Sequence, residues 1–415
     1  MKKNRINIVY LIVGQLISVC GISILRFALS LYVLDTTGRA DVFAVILAVS
    51  SIAVLFAPIG GAMADRFDRK VLMVMMDAAN AVLALLLFLV VGMTESIFAI
   101  GLLLFLLSFV SSFDTPVVGA SIPLLVEPQE LEKINGLSNA ILQLSRIAAP
   151  IIGGVLYGIF GAKLLIGSSI FFFVVAALIE SLLNIPYEKH QQTGRVIQLL
   201  VADLKAGFAD LKESRALFRV VLIVAAIDFS LGAFVVVGLP VIFRMGLQVD
   251  DTLYGIGMAS FSLASILGAV FASRLTRNVR FDNFYRIFTI TGLLLLFMGI
   301  LVNLLRSDAG FWVVVGITFI IGVMVSAISV YLISLLQRVT PNENLGKMMA
   351  TMTAVSQSAV PLGQFLIGAL FKKSGTSMLL PIMAVGGFIA LISFLCFVWF
   401  KQTKETDIYV VKRAG

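Results

Sequence analysis

The chain reads as a succession of long apolar runs divided by short polar breaks. A helix needs about 20 predominantly apolar residues to cross the hydrocarbon core of a bilayer. Runs of that length predict twelve membrane spans, near 8–34, 42–64, 70–92, 96–125, 135–159, 162–186, 217–243, 253–275, 284–304, 311–337, 346–371 and 376–400. The breaks, such as 35–41 and 127–133, are polar and only a few residues long. Several runs exceed the minimum, which permits tilt or kinking without fixing either. The opening Met-Lys-Lys-Asn-Arg before an apolar run mimics a signal peptide, and the residues before Cys20 brush against a lipoprotein cleavage pattern. Val19 is too large for the small residue such cleavage needs, and the run continues to Leu34, too long for a signal segment. It is read as an uncleaved first span.

The longest polar segment, 187–216, divides twelve spans into six and six. The predicted organisation is an all-α membrane protein of two pseudo-symmetric six-helix halves, 1–186 and 217–400, with a linker at 187–216 and a tail at 401–415. Inside the linker Ile197, Leu200, Val201, Leu204, Phe208 and Leu211 recur at three- and four-residue steps, opposite Asp203, Lys205, Asp210 and Lys212. That is an amphipathic helix, lying along the cytoplasmic membrane surface or packed under the bundle as a tether. The halves share a faint repeat: Pro150 and Pro361 each stand four residues after a polar side chain, Arg146 and Gln357.

Composition sharpens this reading. Of 415 residues, 60% are apolar and 13% charged, against about 25% charged in soluble domains. A soluble enzyme, a secreted domain and a disordered chain are excluded on that ground. The net charge of +8 fits cytoplasmic loops rather than nucleic-acid binding. With both termini cytoplasmic, 23 of the 31 basic residues fall in cytoplasmic segments and 6 in external loops, leaving Arg26 and Arg146 inside spans. This bias is the positive-inside pattern, and an odd number of spans would spoil it. Cys20, Cys396 and the single His190 make neither a disulfide framework nor a metal site. No phosphate-binding loop of the G-x-x-x-x-G-K-[ST] type is present, and no nucleophile–base arrangement stands out. Neither ATP drive within the chain, nor a cofactor, nor enzymatic chemistry is expected.

Ionisable residues within hydrocarbon are costly and invite a functional reading. Asp77 and Glu180 lie toward the cytoplasmic ends of spans 3 and 6 and are read as reaching water. Asp114, Arg146, Asp228 and Arg26 lie deeper. Asp114 stands 11 residues before the end of span 4, and Arg146 stands 11 after the start of span 5. Both are then about 16 Å deep at 1.5 Å per residue. They are predicted to pair, either for structure or for coupling. Asp228 is near the middle of span 7, with no base of neighbouring sequence at its depth. Burial without a partner favours the neutral carboxyl, as a reversible proton carrier requires. Asp228 is the first candidate for proton coupling or cation recognition; the plainer reading is a neutral acid that holds helices together. A contact between Arg26 and Asp228 would compete with the carrier role. The 32 phenylalanines and 15 methionines suit a permissive apolar cavity as well as ordinary bundle packing.

Between spans 2 and 3 stands Gly61-Ala-Met-Ala-Asp65-Arg66-Phe-Asp68-Arg69-Lys70. Gly61 allows close helix approach, Asp65 sits among bases at a helix end, and Arg66, Arg69 and Lys70 anchor the loop inside. This segment resembles the signature loop of the major facilitator superfamily, with Asp68 where the commoner form has glycine. The resemblance implies a cytoplasmic latch between the halves, engaged in the outward-open state. Gly14-Gln-Leu-Ile-Ser18, Tyr32-Val-Leu-Asp-Thr-Thr-Gly38, Ser121-Ile-Pro123 and Asp203-Leu-Lys-Ala-Gly207 look like the branch of bacterial macrolide-efflux and enterobactin-exporter proteins. Ala149-Pro150-Ile-Ile-Gly153-Gly154 is similar to the span-5 motif of antiporters, with Ala149 in place of glycine. The arginine usual in span 4 is absent, and Asp114 occupies the middle of that span instead. The resemblance implies a secondary transporter of the bacterial plasma membrane, driven by the proton gradient through alternating access and acting as a monomer among lipids. The first expectation is export of small amphipathic compounds such as macrolides. The alternatives are an uptake symporter or lipid flippase of the same fold and, more remotely, a sensor without flux.

Overall fold

A computed structural model of the chain describes residues 2–93, 96–186, 215–277, 279, 283–304, 308–340, 342–375 and 377–400. All regular structure among them is helical. Helix α1 (Lys2–Thr37) is followed by α2 (Ala40–Ile52), a 3-10 turn (Ala53–Phe56), α3 (Ala57–Arg66), α4 (Arg69–Met93), α5 (Ile97–Ser111) and α6 (Asp114–Leu125). After a 3-10 turn at Pro128–Glu130 comes α7 (Leu131–Ser181), then α8 (Arg215–Ile227), α9 (Asp251–Val270), α10 (Tyr285–Leu304), α11 (Asp308–Val339), α12 (Asn342–Ser374) and α13 (Leu379–Phe400).

Eleven helical stretches among the described residues are long and apolar enough to cross a membrane. One of them, Pro128–Ser181, has 54 residues, or about 80 Å at 1.5 Å per residue, more than twice a hydrocarbon core of about 30 Å. Gly161 breaks it with φ 72° and ψ 174°, a backbone conformation that a side chain would strain. The stretch is long enough for two crossings, which makes eleven to twelve spans among the described residues. The exterior carries bare apolar side chains such as Phe98 (81% exposed) and Leu304 (72% exposed). Such a surface suits hydrocarbon and not water.

The latitude for kinking that the long runs allow is used in spans 2, 4 and 7, each of which carries a proline. Pro58, Pro116 and Pro240 each lack the N–H that would reach the carbonyl four residues back. The chain answers with the 3-10 turn Ala53–Phe56 in span 2 and with the interruption between α5 and α6 in span 4. In span 7 it widens into π-helical turns at Asp228–Gly232, Phe234–Gly238 and Ile242–Gly246 around a short α-helical step, Leu239–Val241. The Leu247 N–H accordingly reaches back five residues to the Ile242 carbonyl, at 2.8 Å. Pro123, Pro150 and Pro361 lie inside helices that run on through them.

The chain falls into two compact units. The first comprises Met1–Gly38, Val49–Leu199 and Asp251–Ala259. In it α1 and α4 pack along α7, over a core that includes Leu11, Met73, Phe113, Ile122 and Leu183. The second comprises Arg39–Ala48, Leu200–Asp250 and Ser260–Gly415, with α10 against α13 as its main pairing. Most of the linker, including the amphipathic run from Ile197 to Leu211, and the tail 401–415 lie outside the described residues.

Small residues set the closest approach in the first unit. A Cβ on Gly154 would stand 2.5 Å from the Asp251 carbonyl oxygen, and one on Gly255 would collide with the carbonyl of Pro150. On the other flank, a Cβ on Gly153 would enter the Phe27 ring at 2.6 Å. Overpacking of this kind costs about 1–3 kcal/mol. Gly255→Ala is therefore expected to lower the thermal unfolding temperature in detergent. Gly387→Ala, where an added Cβ meets nothing within 4 Å, should leave it unchanged or raise it. Equal effects at the two positions would contradict this packing.

Candidate functional site

The loop between α3 and α4 is built around a helix start. Asp68 precedes α4, and its Oδ1 accepts the Lys70 backbone N–H at 2.9 Å, which satisfies one of the unpaired donors of a helix N-terminus. Asp65 approaches Arg69 only to 4.0 Å, with the Asp65 side chain 60% exposed, so this ion pair contributes little. The expectation that Gly61 sets the close approach is corrected. An added Cβ there would meet only Pro116, at an ordinary 3.9 Å, whereas one on Gly60 would stand 2.8 Å from the Phe113 Cα. The break in span 4 turns Phe113 against α3, and Gly60 makes room for it.

At the other end of span 2, in the second unit, Asp41 accepts from Arg39 Nη2 at 2.6 Å and pairs with Lys372 Nζ at 3.3 Å. The hydrogen bond to Asp41 holds the Arg39 guanidinium above its ordinary range.

The intramembrane charges fall into two groups. In the first unit Asp77 on α4, Asp114 at the first turn of α6 and Glu180 at the end of α7 surround one small cavity of about 30 Å³, with Gln15 and Ser18 of α1 on its wall. Ser18 Oγ donates to Asp77 Oδ1 at 2.7 Å, and Ser138 Oγ donates to Gln15 Oε1 at 2.8 Å. Asp77 (2% exposed) and Glu180 (4% exposed) are buried, so the expectation that they reach water is wrong. Helices α1 and α7 close over them, which depth counted along a single helix does not register. Arg26 lies within electrostatic reach of Asp114 and of Arg146. Among the described residues, Asp114 makes no ion pair with Arg146. Equal depth fixes height but not direction, and the break at 112–113 resets the direction in which α6 presents Asp114.

In the second unit Asp228 begins the first π-helical turn of span 7 and accepts a hydrogen bond from Ser356 Oγ of α12. A Cβ on Gly232 would stand 3.6 Å from Asp228 Oδ1, so the glycine leaves space beside the carboxyl group. Asp228 is half-buried on the wall of a cavity of about 180 Å³, lined also by Phe234, Phe261, Leu295, Thr318 and Ser329. The wall is mostly apolar with a few polar groups, the usual character of a small-molecule site. Ser356 was missed from the sequence; the signal available was a hydroxyl five residues before Pro361, matching Ser145 before Pro150. Among the described residues no group of three or more His, Cys, Asp or Glu is arranged to hold a metal ion.

The cap on α4 gives a test that separates structure from charge. Asp68→Ala should cost about 1 kcal/mol of stability, read as a lower midpoint of thermal unfolding, and Asp68→Asn should restore it because the amide oxygen still caps. Loss of stability in both variants would mean that the charge, not the cap, matters.

The family model described as "Major Facilitator Superfamily" matches residues 11–281 and, in a second match, 220–413. Macrolide efflux protein A of Streptococcus pyogenes is 27% identical over 375 residues, covering 86% of this chain and 87% of that protein. Among solved structures, a bacterial homologue of the iron transporter ferroportin in its inward-facing state superposes with a TM-score of 0.75 at 19% identity, covering 96% of this chain and 99% of that one. A D-xylose-proton symporter gives 0.70 at 12% identity, covering 97% and 98%. The likeness to these two structures is one of fold. The chain thus belongs to the Major Facilitator Superfamily and is a multi-pass secondary active transporter of the cell membrane, working by alternating access and not an enzyme.

Proposed function

We propose that this transporter carries a small amphipathic organic solute in symport with protons, and that the solute's polar group is recognised at Asp228. The observation that carries this reading is the Asp228 cavity. It combines an apolar wall with one carboxyl group, which Ser356 orients by donating a hydrogen bond. At about 180 Å³ it falls below the 300–1,000 Å³ of sites that enclose drug-sized ligands. That size favours a solute smaller than a macrolide.

Export of macrolides is the second reading. It is supported by the 27% identity with macrolide efflux protein A and by the span-5 segment from Ala149 to Gly154, which resembles an antiporter motif. In either reading residues 1–186 and 217–400 act as two six-helix halves, joined by a cytoplasmic linker at 187–216 and ending in a tail at 401–415. Both chain ends are cytoplasmic, as the basic-residue bias supports. The loop of Gly61, Asp65, Arg66, Asp68, Arg69 and Lys70 acts as the cytoplasmic latch. The protein works as a monomer surrounded by lipid, with the proton gradient as its energy source.

The test is accumulation in bacteria that lack their own efflux pumps and express this chain. Labelled sugars, nucleosides, cationic dyes and macrolides are each measured with and without a protonophore. Uptake of a small solute that the protonophore abolishes is expected. It should fall roughly tenfold or more in Asp228→Asn, as loss of a charge-assisted contact implies. Reduced macrolide accumulation that the protonophore reverses would replace symport with the second reading. Unchanged accumulation across the panel, with the protein confirmed in the membrane, would contradict both.

A further inference from the structure

We propose that Asp77 and Glu180, reached through Asp114, form a proton-holding site in the first unit that is separate from Asp228. This deepens the proton-coupled reading and rests on it, by naming the groups in this unit that take up and release the proton. The geometry has three parts. Asp77 and Glu180 are buried on the wall of the cavity, and Asp114, half-buried beside the exposed Thr115, lines the same cavity. Asp77 Oδ1 is satisfied by Ser18, but Asp77 Oδ2 and Glu180 Oε2 have no hydrogen-bond partner among the described residues. Finally, Gly14 makes room for the glutamate, since a Cβ there would stand 2.8 Å from Glu180 Cγ.

A buried carboxyl oxygen without a donor is costly. Three carboxylates in mutual electrostatic reach also repel one another in a medium of low dielectric constant. The charged groups around the cavity are Arg26 on α1, Asp77 on α4, Asp114 on α6, and Arg146 and Glu180 on α7. Among the described residues none of the three acids lies in an ion pair. One added proton supplies the missing donor and removes a unit of repulsion. The cavity, about 30 Å³, has room on the scale of single waters and none for an organic solute. Loading forms one O–H bond on Asp77 or Glu180 with a proton arriving from water past Asp114, release breaks the same bond, and no other reactant is needed.

Infrared difference spectroscopy on the purified full-length protein in lipid nanodiscs, stepped between acidic and alkaline buffer, tests the site directly. The wild type is expected to show a protonated-carboxyl band that loses one carboxyl's worth of amplitude in Glu180→Gln or Asp77→Asn and survives in Asp228→Asn. Ser18→Ala, which keeps every carboxyl, should shift the band without removing it, and covers the case in which an acid variant fails to fold. A band unchanged in Glu180→Gln, Asp77→Asn and Ser18→Ala overturns the proposal, as does displacement of the band by sodium chloride at fixed pH, which would make the site one for a metal cation. Proton-driven solute uptake is read separately in the same preparations. Loss of uptake in the wild type would sink the transport reading, while an unaltered band would sink this site alone.

Discussion

The hydrocarbon core of a bilayer offers no water, so each charge and each backbone donor within it must be satisfied by the protein itself. Much of this structure follows from that constraint. Three prolines remove backbone donors within the spans, and the helices of spans 2, 4 and 7, which carry Pro58, Pro116 and Pro240, are irregular. Two of those irregularities coincide with the acids. Asp114 is the first residue after the interruption in span 4, and Asp228 is the first residue of the π-helical turn in span 7. Irregular backbone at membrane depth is tolerated where it lines a cavity or is covered by protein. Here two of the three irregularities, those of spans 4 and 7, bring a carboxyl group to a cavity wall.

The two cavities differ in ways that suit different tasks. The first is small and edged by three acids, with hydroxyl and amide groups on one wall. The second is about six times larger by volume and mostly apolar, and it carries one acid oriented by one serine. A proton needs a compact site with buried oxygens that can accept it. An amphipathic solute needs apolar area and a single polar contact. With the two proposed sites in separate units, coupling between them requires only that both bias the same equilibrium.

Much of the fold was legible in the sequence, because a run of about 20 apolar residues has few other uses. The basic-residue bias needed no structure. Less visible were the breaks: Pro123, Pro150 and Pro361 leave their helices continuous, and nothing local separates them from the prolines that interrupt. The site was half legible. Asp114 and Asp228 stood out as charges deep in apolar runs, and both line cavities. Asp77 and Glu180 were misjudged because depth along one helix says nothing of the helices that cover it. The expected pairing of Asp114 with Arg146 failed because matching depth does not fix which way a side chain points. Ser356 lies 128 residues from Asp228, a separation that no local pattern bridges.

Proton and solute are thus proposed to be held by different carboxyl groups. Solute-evoked currents from proteoliposomes on a solid support, recorded beside solute-induced thermal stabilisation of the same preparations, test it most directly. Glu180→Gln is predicted to lose the proton-carried current while the solute still stabilises the protein. Asp228→Asn is predicted to lose both. Retention of current in Glu180→Gln, or retention of solute stabilisation in Asp228→Asn, would contradict the claim.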